Sequence, residues 1–494
     1  MKTAGLDIGT TGCKLTVFDE NGSYLDRAYR EYPARRTGSA HEVDADAILD
    51  MVWEVIGQMA GRYPDIGGIG VTSFGETFVA ADGEGRALFP AMLYTDPRGA
   101  AERDALTERL GKEQILHITG VDPHEMYSIS KLMWLKAHEP EVYGKTEHVF
   151  LIEDYVVFHL TGRAQIDYSL AARTQAFDIT ELTWSQVILE AAGVDPALLS
   201  QPVPIGTSAG KILTSVSQKT GLSPDTTVVS IGHDQVAAAI GAGVFTSDLA
   251  VDGAGTVECI TPVYDGLPDL DAMSRGKFAV VPYVLPGKYV CYAFSHTGGA
   301  LIQWCADTLA KKEKELAAQT GMSVNAYLEQ GYTEPTGLLV LPHFAGAATP
   351  YMDNGSKGAI LGLDTGVTTA QLYHACMEGV VYEMLVNMEY LEKAGTGFDR
   401  LHATGGGARS PVWMQMKADM LNVPITALAT ADAGTVGSAM LTGIATGLFE
   451  GLEDAAAHMV EKRETYEPRK EMHEMYRKIY ERYRRLYEAV RPLV

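Results

Sequence analysis

The order of hydrophobic and polar positions along the chain predicts alternating strands and helices. A strand AGLDI, a turn GTTG and a second strand CKLTVFD predict a hairpin over residues 4–19, and the turn ENGS leads into a further strand, SYLDRAYREY. Helical periodicity at residues 44–61 precedes the strand IGGIGVTS, and residues 99–200 are mostly helical in pattern. The alternation predicts an α/β protein.

A second passage repeats the design of the first hairpin. Residues 248–263, DLAVDGAGTVECITPV, again give a strand, a G-x-G-T turn and a β-branched strand. The stretch SIGHDQVAAAIGAG, residues 230–243, lies between the two hairpins and ends the first half. We interpret this as a duplicated arrangement of two α/β halves, each beginning with a hairpin suited to phosphate, with a hinge near residues 244–250.

Length and charge narrow the class of protein. A chain of 494 residues predicts roughly two to four domains. The formal charge of −23, from 63 Asp and Glu against 40 Lys and Arg, disfavours nucleic-acid binding but leaves room for a local anion site built from backbone N–H groups. Five scattered cysteines fit a reducing compartment, without a zinc site or a disulfide framework. Neither a signal peptide nor a bilayer-spanning run is present, so we expect a cytoplasmic protein without a membrane partner.

Common nucleotide-binding motifs do not account for the chain. The segment GTSAGKI, residues 206–212, has three residues between its glycines where a P-loop needs four, and Ile212 stands where a metal-binding Ser or Thr belongs. No G-x-G pair continues to a dinucleotide fingerprint after a strand, and the protein-kinase motifs are absent. Three glycine-rich segments remain as candidates: LDIGTTGCK (6–14), DGAGT (252–256) and HATGGGARSPVWMQMKADML (402–421).

The segment LDIGTTGCK offers the donors that an anion site needs. Its glycines, beginning with Gly9, let a phosphate approach the backbone closely and let consecutive N–H groups form an anion-binding nest. Thr10 and Thr11 add hydroxyl donors, and Lys14 can reach back across the turn to a phosphate as a point charge. Asp7 cannot bind phosphate itself, but beside a phosphate it fits a partner of Mg²⁺, through water. A Gly-Thr turn alone is more often only a turn, so the inference depends on three such segments occurring together.

The polar residues of the stretch GHDQ admit two interpretations. Asp234 precedes the apolar run VAAAIGAG, and an Asp in that position often caps a helix. The alternative is a general base, because phosphoryl transfer to an alcohol requires a carboxylate that accepts the hydroxyl proton. The residues alone favour the cap.

Five segments also carry a family resemblance. In chain order they are LDIGTTGCKLTVFD, GHDQVAAAIGAG, GAGTVECI, GGALIQW and TGGGARSPVWMQMKADMLNVPI. Together they resemble the FGGY carbohydrate kinases, which phosphorylate sugars and polyols such as xylulose, gluconate, fuculose and glycerol. LDIGTT alone is shared more widely, with actin and the seventy-kilodalton heat-shock chaperones.

The resemblance implies an α/β fold of the actin-like ATPase type, with two ribonuclease-H-like domains flanking a catalytic cleft. Residues 1–246 would form an N-terminal domain with the sugar pocket, the first phosphate turn and the catalytic Asp. Residues 247–494 would form a C-terminal domain with the second phosphate turn, the adenosine site and the C-terminal helix.

The resemblance further implies the roles of individual residues. Asp234 would be the catalytic base and Asp7 the residue that orients Mg²⁺. The residues expected at ATP are Gly9, Thr10, Thr11, Lys14, Gly255, Thr256, Gly299, Gln303, Gly406, Gly407, Ala408 and Ser410. The residues expected at the sugar are Glu76, Tyr94, Asp96, Arg98 and Gln235.

The identity of the acceptor is less clearly indicated. Gly75 stands where a glycerol kinase has an arginine, which counts against glycerol. The segment SFGET also lacks the Met-His of xylulokinases, whereas YTDPRG is closer to the sugar kinases. We expect a ketose or related sugar alcohol of five or six carbons, in the xylulokinase-like branch, with glycerol or another short polyol second. An actin-like ATPase acting as a chaperone or scaffold is a third, less favoured hypothesis, and relatives suggest a homodimer.

Overall fold

A computed structural model describes residues 1–430 and 432–494. The chain forms two compact units. Unit 1 comprises Met1–Gly243, Ala279–Val290 and Ala433–Val460, and unit 2 comprises Val244–Phe278, Cys291–Asp432 and Glu461–Val494. Two segments from the second half of the chain therefore pack with the first half.

Unit 1 is built on a six-stranded sheet. Its strands are β1 (Lys2–Ile8), β2 (Gly12–Phe18), β3 (Tyr24–Glu31), β4 (Ile66–Ser73), β5 (Thr207–Lys211) and β6 (Thr227–His233), in the order β5-β6-β4-β1-β2-β3. The first three strands are antiparallel, as the hairpin pattern predicts, while β4 and β6 run parallel to β1. The segment rejected as a P-loop is mostly strand β5.

The carboxyl ends of the three parallel strands meet at one edge of this sheet. Ile8 of β1 pairs with Ser73 of β4, which in turn pairs with His233 of β6. Because the chain leaves all three strands at the same level, the residues that follow them emerge side by side. In open α/β sheets, this carboxyl edge is where ligands bind.

A helix rich in small residues, Ala433–Ala445, packs against both the sheet of unit 1 and the helix Asp234–Gly241. A Cβ on Gly437 would lie 2.0 Å from the carbonyl oxygen of Ala237, and one on Gly5 would lie 2.3 Å from that of Thr435. Larger side chains at these contacts would force the backbones apart. This close packing explains the small residues at the contact between the two helices.

Unit 2 repeats the central pattern of unit 1. Its strands are β7 (Leu249–Ala254), β8 (Glu258–Asp265), β9 (Ala293–Ser295), β10 (Arg400–Thr404), β11 (Ile425–Leu428) and β12 (Lys462–Tyr466). β7 and β8 form the second predicted hairpin, β10 and β11 run parallel to β7, and β12 closes the sheet antiparallel to β11. Both halves thus begin with a hairpin followed by a parallel strand.

Most of the chain outside these sheets is helical. The helices of unit 1 are Ala45–Arg62, Ala100–Leu110, Lys112–Thr119, Ser128–His138, Pro140–Tyr143, Ile152–Thr161, Tyr168–Ala172, Gln186–Ala192, Thr214–Thr220, Asp234–Gly241, Ala433–Ala445 and Leu452–Met459. The helices of unit 2 are Leu270–Arg275, Gly299–Leu309, Lys311–Thr320, Val324–Leu328, Thr369–Lys393, Pro411–Leu421, Lys470–Tyr483 and Leu486–Val490. Among the described residues, none of these helices has the length and apolar character needed to cross a membrane.

Short strands complete the structure. They are Arg35–Thr37, Ala40–Val43, Phe78–Ala81, Ala91–Met92, His148–Leu151, Gln165–Asp167, Phe177–Asp178, Thr183–Trp184, Gln201–Val203, Val280–Pro282, Lys288–Cys291, Leu339–Leu341 and Ala359–Leu361. The strand Phe78–Ala81 pairs with the distant strand His148–Leu151.

Candidate active site

The turn that carries Asp234 is aimed by a bulge at the end of β6. The pairing of β6 with β4 shifts register between Ser230 and Gly232, and Gly232 has a φ of 126°, which only glycine adopts readily. The hydroxyl of Thr72 donates to the carbonyl of Gly232 at 2.6 Å, and the N–H of His233 donates to Oγ of Ser169 at 3.0 Å. Neighbouring elements therefore fix the direction of the turn.

Asp234 is the first residue of its helix rather than the cap. The N-cap position is taken by His233, whose side chain makes no capping hydrogen bond. The Asp234 side chain keeps 30% of its surface exposed, and its Oδ1 lies 3.4 Å from Nδ1 of His233. Burial and the proximity of Arg173 hold the pKa of His233 well below its ordinary value, so this imidazole is neutral.

Asp234 lies in a strongly acidic environment. Burial raises its pKa to about 7, and the carboxylates of Asp7 and Glu76 add to the increase, while hydrogen bonds from Gln235 oppose it. Three acids at the carboxyl edge of one sheet, with one of them poised near neutrality, are the arrangement expected of a site that handles protons.

The turn at residues 9–12, which the sequence predicts to bind phosphate, follows the strand of Asp7, whose carboxylate acts on Asp234. Asp7 and Lys14 are opposite one another on β1 and β2, and their side chains form an ion pair of 2.9 Å. The hydroxyl of Tyr32 donates to the carbonyl of Gly9, which anchors the start of the turn. Thr10 bonds the phenol of Tyr94, whose pKa is raised by burial and by the nearby charge of Glu76. Thr11 is exposed at the tip of the turn.

Glu76 is held in an unusual backbone conformation. Its φ is 63°, in the left-handed region, and the N–H of Thr77 donates to the carbonyl of Gly75 at 2.7 Å, so Glu76 is the centre of a γ-turn. Such strain costs about 1–3 kcal/mol and typically occurs at functional sites. The hydroxyl of Ser128 donates to the Glu76 carbonyl at 2.6 Å and helps to fix the turn.

The Glu76 carboxylate is paired with Arg173, a residue that the sequence analysis missed. Nε of Arg173 donates to Oε1 of Glu76 at 2.5 Å, and Nη2 contacts the same oxygen. The guanidinium lies 5.2 Å from the centre of the Tyr127 ring. A Cβ on Gly75 would lie only 3.2 Å from Cγ of Arg173 and 2.9 Å from the His233 ring. An arginine therefore fills the space beside Gly75, although it comes from another element.

The predicted sugar residues Asp96 and Arg98 are engaged with each other. Asp96 is completely buried, and both of its oxygens accept from Arg98, at 2.9 and 2.6 Å. Asp96 also accepts the backbone N–H of His41, while Arg98 bonds Glu42 and lies over the ring of Trp134. This pair braces the wall that carries Tyr94, and a direct role of either residue at the sugar stays a prediction.

Unit 2 has a pocket of about 620 Å³ at the carboxyl edge of its own sheet. Gly253 of β7 pairs with Thr404 of β10, so the turns that follow these strands are adjacent. Gly405 has a φ of 91°, and a Cβ there would lie 2.5 Å from the carbonyl of Ala254. The pocket lining includes seven predicted ATP residues: Gly255, Thr256, Gly299, Gln303, Gly406, Gly407 and Ser410.

Several of these residues already have structural partners. Oγ of Ser410 accepts the N–H of Trp413 at 3.0 Å and caps the helix Pro411–Leu421. Ala408, in a short 3₁₀ turn, is buried, and Gln303 donates to Asp307 at 2.8 Å. The glycine turns remain the part of the pocket where bare backbone can approach a ligand closely.

The pocket also has polar and aromatic walls outside the glycine motifs. Asn325, Glu329, Tyr373 and Trp413 contribute to its lining. Burial raises the pKa of Glu329, whose carboxylate accepts hydrogen bonds from Ser410 and Tyr373. A cavity with an aromatic ring, a glycine shelf and a few fixed polar groups suits a nucleoside.

A buried ion cluster lies at the hairpin that carries the turn DGAGT, the second turn predicted to bind phosphate. Nζ of Lys417 contacts Asp252 of β7 at 2.6 Å and Glu258 of β8, the other strand of the hairpin, and all three side chains are almost completely buried. Burial and the charge of Asp252 raise the pKa of Glu258. Since Lys417 comes from the helix Pro411–Leu421, the cluster links the two elements that line the pocket.

Comparison with known proteins agrees with this geometry. The chain is 27% identical to the xylulose kinase of Bacillus subtilis strain 168 over 470 residues, which cover 94% of this chain and 92% of that protein. It is 26% identical to the gluconokinase of the same organism over 473 residues, covering 94% and 91%. The crystal structure of the xylulose kinase from Rhodospirillum rubrum superposes with a TM-score of 0.87 at 25% identity and covers 100% of this chain and 99% of that one.

These likenesses confirm the actin-like ATPase fold expected from the sequence. Two family models match the chain over most of its length. The model for the N-terminal domain of the FGGY family of carbohydrate kinases matches residues 3–241, and the model for its C-terminal domain matches residues 271–446. The chain therefore belongs to the FGGY family of carbohydrate kinases, whose members are phosphotransferases.

Proposed function

We propose that the protein transfers the γ-phosphoryl group of ATP to a hydroxyl of a five- or six-carbon ketose, such as xylulose, or of a related sugar alcohol. The observation that carries the proposal is the carboxylate of Asp234, next to the phosphate turn with Asp7 and the polar wall with Glu76. Residues 1–246 would provide the acceptor site and the base, and residues 247–494 the adenosine site.

Asp234 would act as the general base. The acceptor hydroxyl loses its proton as the new O–P bond forms, and a carboxylate within hydrogen-bonding distance can take it. A pKa of about 7 makes Asp234 a stronger base than an ordinary Asp while leaving a large ionised fraction at neutral pH. Gln235 would hold a neighbouring hydroxyl and so fix which oxygen attacks.

The residues around Asp7 suit a Mg²⁺ ion that arrives with the nucleotide. Among the described residues, no group of three or more His, Cys, Asp or Glu could hold a metal ion by itself. Asp7 and Asp234 are nevertheless a pair of like charges that a divalent cation would neutralise. Mg²⁺ commonly takes one or two carboxylates and completes its shell with phosphates and water. Asp7 would hold it through water, and the bound ion would offset charge on the phosphates.

The pocket of unit 2 supports ATP as the donor. Gly255 and Thr256 offer backbone and hydroxyl donors to phosphates, and Gly406 and Gly407 offer a flat shelf for the adenosine. On unit 1, the hydroxyls of Thr10 and Thr11 and the amine of Lys14 would face the β- and γ-phosphates.

Glycerol or another short polyol is the second candidate acceptor. The lack of an arginine at position 75 counts against glycerol in the sequence. In the structure, however, the side chain of Arg173 fills the space beside Gly75 and pairs with Glu76. This observation supports keeping a short polyol as a candidate, because a guanidinium beside a carboxylate suits recognition of vicinal hydroxyls.

A coupled assay of ADP release across a panel of ketoses, alditols and short polyols tests the proposal. We expect sugar-dependent turnover, with the highest kcat/KM for a five- or six-carbon ketose. Asp234→Ala should fold and bind ATP yet lose turnover by several orders of magnitude, whereas Asp50→Ala, which removes an exposed carboxylate from a remote helix, should not. A variant Asp234→Ala with more than about a tenth of the wild-type rate would remove the assignment. ATP turnover indifferent to every acceptor would instead favour a scaffold ATPase.

The cellular setting is also proposed. Five cysteines, all buried and outside disulfide bonds, suit a reducing cytoplasm. A homodimer, expected from relatives, remains a prediction that sedimentation can test.

A further inference from the structure

The acceptor side of unit 1 carries an excess of negative charge. Asp7, Glu76 and Asp234 are close enough that both other carboxylates raise the proton affinity of Asp234. Glu76 is 4% exposed and Asp7 is mostly buried, so water screens their charges only partly.

Four basic side chains near these acids already have hydrogen-bonding or ion-pair partners. Lys14 pairs with Asp7, and Arg173 pairs with Glu76 through two nitrogens. Arg98, on the wall with Tyr94, is bonded to both Asp96 and Glu42. Lys131 is completely buried and donates to the carbonyl of Glu125. The carboxylate of an acidic acceptor that entered the pocket would have to compete for a cationic side chain that is already bonded to another group of the protein.

The Glu76–Arg173 pair also determines what faces the acceptor. Both guanidinium contacts go to Oε1, so Oε2 is the oxygen left to accept a hydroxyl from a ligand. The γ-turn and the bond from Ser128 fix the backbone of Glu76. Glu76 therefore cannot easily turn away from an anionic group.

We propose that this pocket selects an uncharged polyhydroxy acceptor over a sugar acid of the same length, and that Glu76, positioned by Arg173, enforces the selection. The inference rests on the proposed kinase function and narrows its substrate class. Relatives do not decide the matter, because the family includes both xylulose kinases and gluconokinases. Like charges placed together disfavour binding strongly, so we expect a discrimination of at least about a hundredfold in kcat/KM.

Pairs of acceptors matched in length and differing in charge test this inference. The pairs are D-fructose or D-glucitol against D-gluconate, and D-xylulose or xylitol against D-xylonate, each assayed with MgATP. We expect turnover with a neutral member and at least about a hundredfold lower kcat/KM for the matched acid, a ratio that shrinks as salt is raised. Equal or better turnover of a sugar acid overturns this inference alone. An absence of turnover with all members overturns the proposed function as well.

Variants test whether Glu76 is responsible for the selection against sugar acids. Glu76→Gln removes the charge of the side chain but keeps its shape. We expect it to reduce the ratio of kcat/KM for the neutral acceptor to kcat/KM for the acidic acceptor by at least about tenfold, while the KM for ATP changes little. Glu141→Gln, at an exposed position on another helix, is the matched control with the same change in net charge. Should Glu76→Gln fail to fold because Arg173 loses its partner, the double variant Glu76→Gln/Arg173→Met removes both charges of the pair, so it keeps the net charge of the wild type and tests only the carboxylate oxygen that faces the acceptor. A ratio unchanged in a folded variant overturns the role of Glu76.

Discussion

Replacing Asp234 by Asn should make the protein inactive and more stable. The folded chain raises the pKa of this carboxyl from 3.8 to about 7, so burying its ionised form carries a cost that Asn avoids. The difference corresponds to at most about 4 kcal/mol. Because 30% of the side chain stays exposed, we expect a gain of about 1–3 kcal/mol at pH 8.

The sign of this effect with pH follows from proton binding. Between pH 4 and 7 the folded chain holds the Asp234 proton more tightly than the unfolded chain, so the free energy of unfolding of the wild type declines as pH rises through this window. Above pH 7 the free-energy cost of burying the ionised carboxylate is fully present. The advantage of Asp234→Asn should therefore be large at pH 8, less than half as large at pH 5, and small at pH 4. Scanning calorimetry suits the measurement, because the two units need not unfold in one step.

The same titration should appear in the wild-type kinetics. With a pKa of about 7, the ionised fraction of Asp234 falls from about one half at pH 7 to about one eleventh at pH 6, so kcat/KM at low substrate should fall about fivefold over that unit. An Asp of ordinary pKa would show no change there. Asp50→Asn is the control for both experiments. A flat kcat/KM between pH 6 and 8, or an Asp234→Asn protein no more stable than wild type at pH 8, would refute the reasoning.

Three further outcomes follow from the contacts described above. Asp7→Asn should raise the Mg²⁺ concentration for half-maximal velocity by about tenfold or more at fixed ATP, and an unchanged requirement would contradict a role at the metal. Lys417→Met leaves two buried carboxylates without their cation and should lower the free energy of unfolding by about 3–5 kcal/mol in urea titrations. Gly437→Ala should destabilise strongly because its Cβ would lie 2.0 Å from a backbone oxygen, whereas Gly61→Ala, on an open helix surface, should be neutral or mildly stabilising.

The sequence was most informative where local chemistry decides the structure. Both hairpins, the strand β4 and the helix over residues 45–62 form where turn residues and periodicity predicted them. Two of the three glycine-rich segments, DGAGT and HATGGGARSPVWMQMKADML, also converge on a single pocket of unit 2, because parallel strands end at a common edge. These features depend on contacts between near neighbours in the chain or on the general geometry of parallel sheets.

Long-range polar pairings could not be predicted in this way. Arg173 meets Glu76 across 97 positions of sequence, and nothing in the segment SLAARTQ distinguishes this arginine from a surface one. Asp96 and Arg98 have the composition of sugar ligands, yet their two-residue spacing lets them satisfy each other. Lys417, on an apolar helix, gave no sign of two buried acids 159 and 165 positions away.

Several separate contacts hold the acidic site of unit 1 together. Three carboxylates repel one another, and a looser fold would relieve the repulsion by letting them separate. Each one is instead restrained by a separate device: the ion pair with Lys14 holds Asp7, the γ-turn and Arg173 hold Glu76, and the bulge at Gly232 holds the turn of Asp234. The helix Ala433–Ala445 also packs closely on the sheet and on the Asp234 helix. The pKa of Asp234 near neutrality is thus a product first of burial and then of this enforced proximity, and a change that exposes the carboxylate or lets the three acids separate should lower the pKa of Asp234 and the rate together.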